Sequence, residues 1–149
     1  MMRLSKDLRE FIESLNSHAV EYVIVGAYAL AYHGSPRYTG DVDILIRPSA
    51  ENADRLEGAI RKFGFGSLGL GADDFREPYQ VIQLGHPPNR IDLLTGLTGV
   101  LFDEAWEGRE PGDLDGIPVQ FIGREAFLKN KRATGRLKDR ADLEALGEQ

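Results

Sequence analysis

The sequence predicts an α+β domain, a mixed β-sheet with helices packed on it. Three observations carry this. Helix-like and strand-like segments alternate over the first sixty or so residues, two strand-like segments follow in hairpin order, and the chain ends in a helical stretch. At 149 residues, with 42% hydrophobic and 28% charged residues, the chain reads as a single domain, 1–149, able to bury a core.

The elements follow in order. Leu4, Leu8, Phe11, Ile12 and Leu15 recur at helical spacing, so 5–18 is an amphipathic helix with Ser5 as its N-cap. "EYVIVG", 21–26, is a short apolar strand ending on glycine, and "AYALAYHG", 27–34, is a short helix stopped by Gly34 and Pro36. A second strand spans about 42–47 and ends at Pro48. Residues 49–63 form a second amphipathic helix, with Ala53, Leu56, Ala59, Ile60 and Phe63 on one side and Ser49 as cap. The four glycines between 64 and 75 indicate loop with at most a short strand. "YQVIQLG" (79–85) and "RIDLLTG" (90–96) are two strands joined by "HPPN", a hairpin with a longer loop. Residues 100–107 suggest a helical turn. "IPVQFIG" (117–123) is a strand that Pro118 puts at a sheet edge or at its own start. From 124 onward the pattern is helical, broken near Gly135.

Composition excludes several classes. There are no cysteines, so disulfides, thiol nucleophiles and Cys-based metal sites are ruled out. Three dispersed histidines, His18, His33 and His86, do not make a zinc site, and His33 beside Gly34 reads as structural. The charged N-terminus lacks a signal-peptide core, and no apolar run approaches the ~20 residues that span a bilayer. A cytoplasmic location without membrane attachment is therefore expected. The net charge of −6 argues against general nucleic-acid coating. Residues 124–140 nevertheless hold seven Lys/Arg against Glu125 and Asp139, a local +5 that leaves −11 elsewhere. One anionic ligand or partner fits that segment.

The chemistry begins in "YTGDVDILIRP", 38–48. Side chains alternate along a strand, so Asp41, Asp43 and Leu45 share one face and Val42, Ile44 and Ile46 the other. Two carboxylates on one face repel unless they are solvated or share a cation, and hard cations such as Mg²⁺ take oxygen ligands. The plain alternative puts Asp41 in a turn and leaves both acids solvated. Asp92 lies between Ile91 and Leu93 in a second short strand. If the two strands are neighbours, three carboxylates converge, enough for two divalent ions in phosphoryl transfer. Ahead of them, "VIVGAYALAYHG" runs strand, Gly26, helix, a turn that lets backbone approach a phosphate or is merely a turn.

Together, "VGAYALAYHGSPRYTGDVDILI", "RIDLL" and "KNKRATGRLKDRADLEAL" resemble the small nucleotidyltransferases of the DNA polymerase β-like superfamily, closest to the bacterial MNT/AbiEii-like proteins. Thirteen residues separate Gly26-Ala27 from Asp41-Val42-Asp43, and Asp92 matches the later acid. The resemblance implies Mg²⁺-dependent transfer of an NMP from an NTP to an acceptor hydroxyl on protein, RNA or a small molecule. It implies two Mg²⁺ ions (Mn²⁺ as substitute) on Asp41, Asp43 and Asp92, with Asp92 helping to activate the acceptor. It also implies phosphate contacts from Gly26, Ala27, Arg37, Lys131, Arg136 and Lys138. Ala27 stands where the family has Gly or Ser, which keeps the backbone N–H but loses a hydroxyl or a closer approach. For Arg37 the bland role is an ion pair with Asp41 or Asp43. For the C-terminal cations it is a solvated helix end, with Asp139 and Asp142 in surface pairs with Arg136 or Arg140. Tyr28 and Tyr32, one turn apart, pack on the sheet or stack on a base, and Trp106 packs. The partners implied are an NTP, an acceptor, and a second copy or a cognate toxin or antitoxin. Two other readings compete: a catalytically weak or inactive fold kept for partner binding, and a D-x-D glycosyltransferase, for which the chain is short and its acids come early.

Overall fold

A computed structural model describes residues 4–36, 41–63, 70–85 and 90–149. Six strands among them form one mixed sheet: β1 (Tyr22–Val25), β2 (Asp41–Ile46), β3 (Val81–Leu84), β4 (Arg90–Leu94), β5 (Glu110–Leu114) and β6 (Ile117–Phe121). Their spatial order is β3-β4-β2-β1-β6-β5. β1 runs antiparallel to β2, β2 parallel to β4, and β1 parallel to β6, while β3 and β5 add antiparallel edges. The helices are α1 (Lys6–Ser17), α2 (Gly26–Tyr32), α3 (Ala50–Phe63), α4 (Phe102–Glu107), α5 (Arg124–Thr134) and α6 (Leu137–Ala145), with a 3-10 turn at Ala72–Phe75. The predicted α+β class is the observed one.

The central strands explain themselves. All four residues of β1 are buried, as are Val42, Ile44, Leu45 and Ile46 of β2. Both faces of these strands are covered, so a continuous branched apolar run is favoured over alternation. Only the first end of β2, at Asp41 and Asp43, is partly open. Ser5 caps α1 by accepting the Leu8 N–H at 3.2 Å, and Ser49 caps α3 through the Asn52 N–H at 3.2 Å. Asn52 itself is buried and clamps the sheet. Its side chain accepts from Glu21 N–H at 2.7 Å and donates to the Glu21 and Arg47 carbonyls, both at 3.0 Å. That ties the start of β1 to the end of β2.

Two features depart from the sequence reading, and β6 meets one of its two alternatives, with Pro118 at the strand's own start. β5 was not anticipated, because "EPGDL" contains a turn-like Pro-Gly pair. At an edge Pro111 is tolerated, and a Cβ on Gly112 would sit 2.6 Å from the Phe121 ring, so glycine lets β5 close onto β6. β6 is not an edge, but its only register pair with β1 is Ile24↔Phe121, so Pro118 near its start breaks no ladder there. The glycine-rich stretch yields the 3-10 turn, whose Phe75 is fully buried; residues 64–69 lie outside the described set. Gly135 ends α5 in the left-handed conformation (φ 60°), the helix break expected there.

Candidate active site

The parallel register of β2 and β4 sets Asp43 opposite Asp92 and Asp41 opposite Arg90. Alternation then puts Asp41, Asp43, Arg90 and Asp92 on one face at one end of the central strands. The expected adjacency of the two strands is observed, and it sets the three carboxylates on one face. Asp41 is the first residue of β2, not part of a preceding turn.

Asp43 is the most perturbed of the three. Burial, then the charges of Asp92 and Asp41, push its carboxyl up to about 6, while Lys138 pulls the other way. An all-oxygen set strained by its own charge is chemically suited to a hard divalent cation. The fit is not yet closed: among the described residues no three His, Asp or Glu side chains are already gathered at metal-ligand geometry.

Gly26 opens α2 directly against this site. Its φ is +66°, and a Cβ there would lie 2.2 Å from Asp43 Oδ2. Glycine is therefore required twice, for the backbone and for the carboxylate. Gly26→Ala is expected to cost about 1–2 kcal/mol in strain alone and to displace Asp43. Thermal unfolding would register the first effect and loss of Mg²⁺-dependent nucleotide binding in calorimetry the second. Ala27 is buried.

Of the basic residues singled out in the sequence, Lys138, exposed in the first turn of α6, is the one whose charge acts on Asp43 and lowers its carboxyl. Lys131 and Arg136 are occupied elsewhere. Lys131 is buried, with Nζ 3.3 Å from Asp139 Oδ1 and 3.0 Å from Asp142 Oδ2. Arg136 Nε donates to Asp139 Oδ2 at 2.7 Å. Asp139 and Asp142 are buried, not at the surface as expected, and the network joins α5 to α6. Arg37 and His86 lie outside the described residues. His33 Nε2 is 2.8 Å from the Ile122 carbonyl, a structural contact. Tyr32 stacks on Phe121 with centroids 4.2 Å apart, and Trp106 packs against the core beneath Arg109.

The residue that sequence reasoning missed is Arg90. Its Nη2 donates to Asp41 Oδ2 at 2.8 Å and to Asp92 Oδ2 at 3.3 Å, and its Nε lies 3.1 Å from Asp92 Oδ1. The signal was present. Arg90 is two residues before Asp92, hence on the same strand face.

Comparison with known proteins places this geometry. Residues 4–149 match the model of a family described as nucleotidyl transferases of unknown function (DUF2204). The chain belongs to that family. Two solved structures share the family's kind of fold. A candidate nucleotidyltransferase (TM1012) from Thermotoga maritima aligns with TM-score 0.58 at 16% identity, over 92% of this chain and 88% of that one. An antigenic nucleotidyltransferase-like protein from Paracoccidioides brasiliensis aligns with TM-score 0.53 at 18% identity, over 97% of this chain and 76% of that one. No curated protein matches the sequence. Among the described residues of this DUF2204 chain, no helix is long and apolar enough to cross a membrane.

Proposed function

We propose that the chain transfers an NMP from an NTP to an acceptor hydroxyl, releasing pyrophosphate as the α–β phosphoanhydride breaks, with Mg²⁺ (or Mn²⁺) held by Asp41, Asp43 and Asp92. The observation that carries this reading is the direct opposition of Asp43 and Asp92 beside the positive-φ Gly26, in a member of a nucleotidyl transferase family. Bound there, the metal would supply electrostatic stabilisation of the attacking and leaving oxygens in displacement at the α-phosphate. The protein's own part is positional. Asp41 and Asp43 hold the nucleotide side, and Asp92 orients the acceptor hydroxyl and takes up its proton. Gly26 keeps backbone close to Asp43, and Lys138 adds a cation for the phosphates. Lys131 and Arg136 then serve the fold, not the nucleotide. The acceptor is a hydroxyl on protein, RNA or a small molecule, and a toxin–antitoxin partner is one setting for it.

The test is incubation with α-labelled NTP, Mg²⁺ and candidate acceptors, with Asp43→Asn alongside. Label should move to an acceptor with the wild type only. Transfer that survives the substitution would sink the assignment. A second reading, a fold kept for partner binding, draws on the Arg90 ion pairs. It would be favoured by a stable co-purifying protein together with no Mg²⁺-dependent nucleotide binding.

A further inference from the structure

We propose that Arg90 is a resident counter-cation of the acid site, which releases Asp41 and Asp92 when a divalent metal enters. This rests on the proposed metal role of the three carboxylates.

One guanidinium bridges the outer two acids of the set. It reaches Asp41 at 2.8 Å and Asp92 at 3.1 and 3.3 Å, using the oxygens a metal would need. Asp43, between them, keeps its unfavourable environment. A guanidinium and a divalent ion cannot share these oxygens without strong like-charge repulsion at contact distance. The two occupancies are therefore alternatives.

Arg90 is also built to move. Its side chain is 29% exposed, against 33% for Asp41 and 13% for Asp92. Although Nε and Asp92 Oδ1 are 3.1 Å apart and buried, they form no aligned hydrogen bond. That contact is held by charge, not by the directional pairing that makes arginine–carboxylate forks strong. Swinging outward costs the hydrogen bond to Asp41 at 2.8 Å and the longer one to Asp92 at 3.3 Å, and carries the cation toward solvent, where an incoming triphosphate offers it new oxygens. The consequence is an acid site that keeps its fold without metal and holds metal weakly until nucleotide phosphates join the ligand set.

Calorimetric titration with Mn²⁺, with and without a non-hydrolysable ATP analogue, tests this on wild type, Arg90→Gln and Arg90→Lys. Arg90→Gln should unfold at a lower temperature without metal. It should bind Mn²⁺ on the order of ten- to a hundredfold more tightly than wild type, the scale of removing one nearby unit charge. Arg90→Lys, which keeps the charge but loses the fork, should fall between them. On the wild type, the Arg90 Nη–H NMR signals, from the group that bonds Asp41 and Asp92, should be protected from exchange without metal and lose protection as Mg²⁺ is added. Mn²⁺ affinity of Arg90→Gln equal to or below wild type would overturn the proposal. So would an Arg90 signal untouched while Mg²⁺ binds, the outcome that decides if Arg90→Gln does not fold. If no variant binds Mn²⁺, even with nucleotide, the metal reading itself falls and the Arg90 proposal with it. Binding by wild type with no gain in Arg90→Gln removes the Arg90 proposal alone.

Discussion

Replacing Asp43 with Asn is expected to abolish transfer and, without divalent metal, to make the fold more stable. The opposite signs have one cause. Burial and the neighbouring Asp92 and Asp41 raise the carboxyl from 3.8 to about 6. At ~1.4 kcal/mol per tenfold change in proton affinity, keeping that charge costs the folded state up to about 3 kcal/mol at neutral pH. Asn removes the charge but still has an amide to desolvate, so a gain of about 1–2 kcal/mol is expected, several degrees in Tm. The pH dependence fixes the sign. Unfolded Asp ionises near 4 and folded Asp43 near 6, so between these the folded state holds the extra proton. Stability from this group therefore falls as pH rises from about 4 to about 6 and is flat above. The advantage of Asp43→Asn should be full at pH 7.5 and vanish below about pH 4 in thermal scans with chelator. Excess Mg²⁺ should narrow it, because a cation removes the repulsion that Asn removes. The activity loss should be on the order of 10²–10³ or more, the scale for deleting one electrostatic stabiliser of a transition state. A variant that is less stable than wild type at pH 7.5 in chelator would show that Asp43 is a satisfied structural acid, and would remove the main support for a metal there.

The parts of this site that could be read in the sequence are those set by local periodicity. Alternation in "DVDILI" put Asp41 and Asp43 on one face, and "RIDLL" put Asp92 among buried residues. What alternation cannot give is which strand lies beside which. The register that sets Asp43 opposite Asp92, and Arg90 opposite Asp41, is a long-range property of the sheet. Arg90 lies 49 positions from Asp41 along the chain, and only the pairing of β2 with β4 brings the two together. β5 was hidden for a related reason. "EPGDL" has turn residues at its centre, and only the edge position and the Phe121 ring over Gly112 make it a strand. The helices were legible nearly to the residue, since Ser5, Ser49 and Gly135 carry their own termination chemistry. The α5–α6 pair was legible as helix but not as packing. "KNKRATGRLKDRADLEAL" is so rich in charge that every face looks solvated, and nothing local marks Lys131, Asp139 and Asp142 as buried.

Those three residues carry the largest stability effect expected in the molecule. Lys131 has 7% of its side chain exposed, Asp139 none and Asp142 4%. Two carboxylates are held in the interior by one ammonium, with Arg136 adding a second cation to Asp139 from outside. Burial works to raise the Asp139 carboxyl. Hydrogen bonds from Arg136 and Thr134, and the Lys131 charge, overcome it and hold the group well below the usual carboxylate range. Its contribution is therefore complete at neutral pH and is lost only as pH falls through that low value. Lys131→Met removes the buried cation that both Asp139 and Asp142 face and should cost about 3–5 kcal/mol, a large part of the ~5–15 kcal/mol that folds a domain. Chemical denaturation at neutral pH would measure it. Lys138→Met, exposed on the neighbouring helix, should stay within ~0.5 kcal/mol of wild type. If the cost is the stranded charge and not the missing lysine, adding Asp142→Asn to Lys131→Met should recover much of the loss, a non-additivity that two independent sites would not give. The same pair of measurements separates structure from substrate binding. A Lys131→Met protein with unchanged unfolding but no nucleotide affinity would return Lys131 to the phosphate role that the resemblance implied. Loss of stability, with nucleotide affinity retained in the folded fraction at low temperature, assigns it to the joint between α5 and α6.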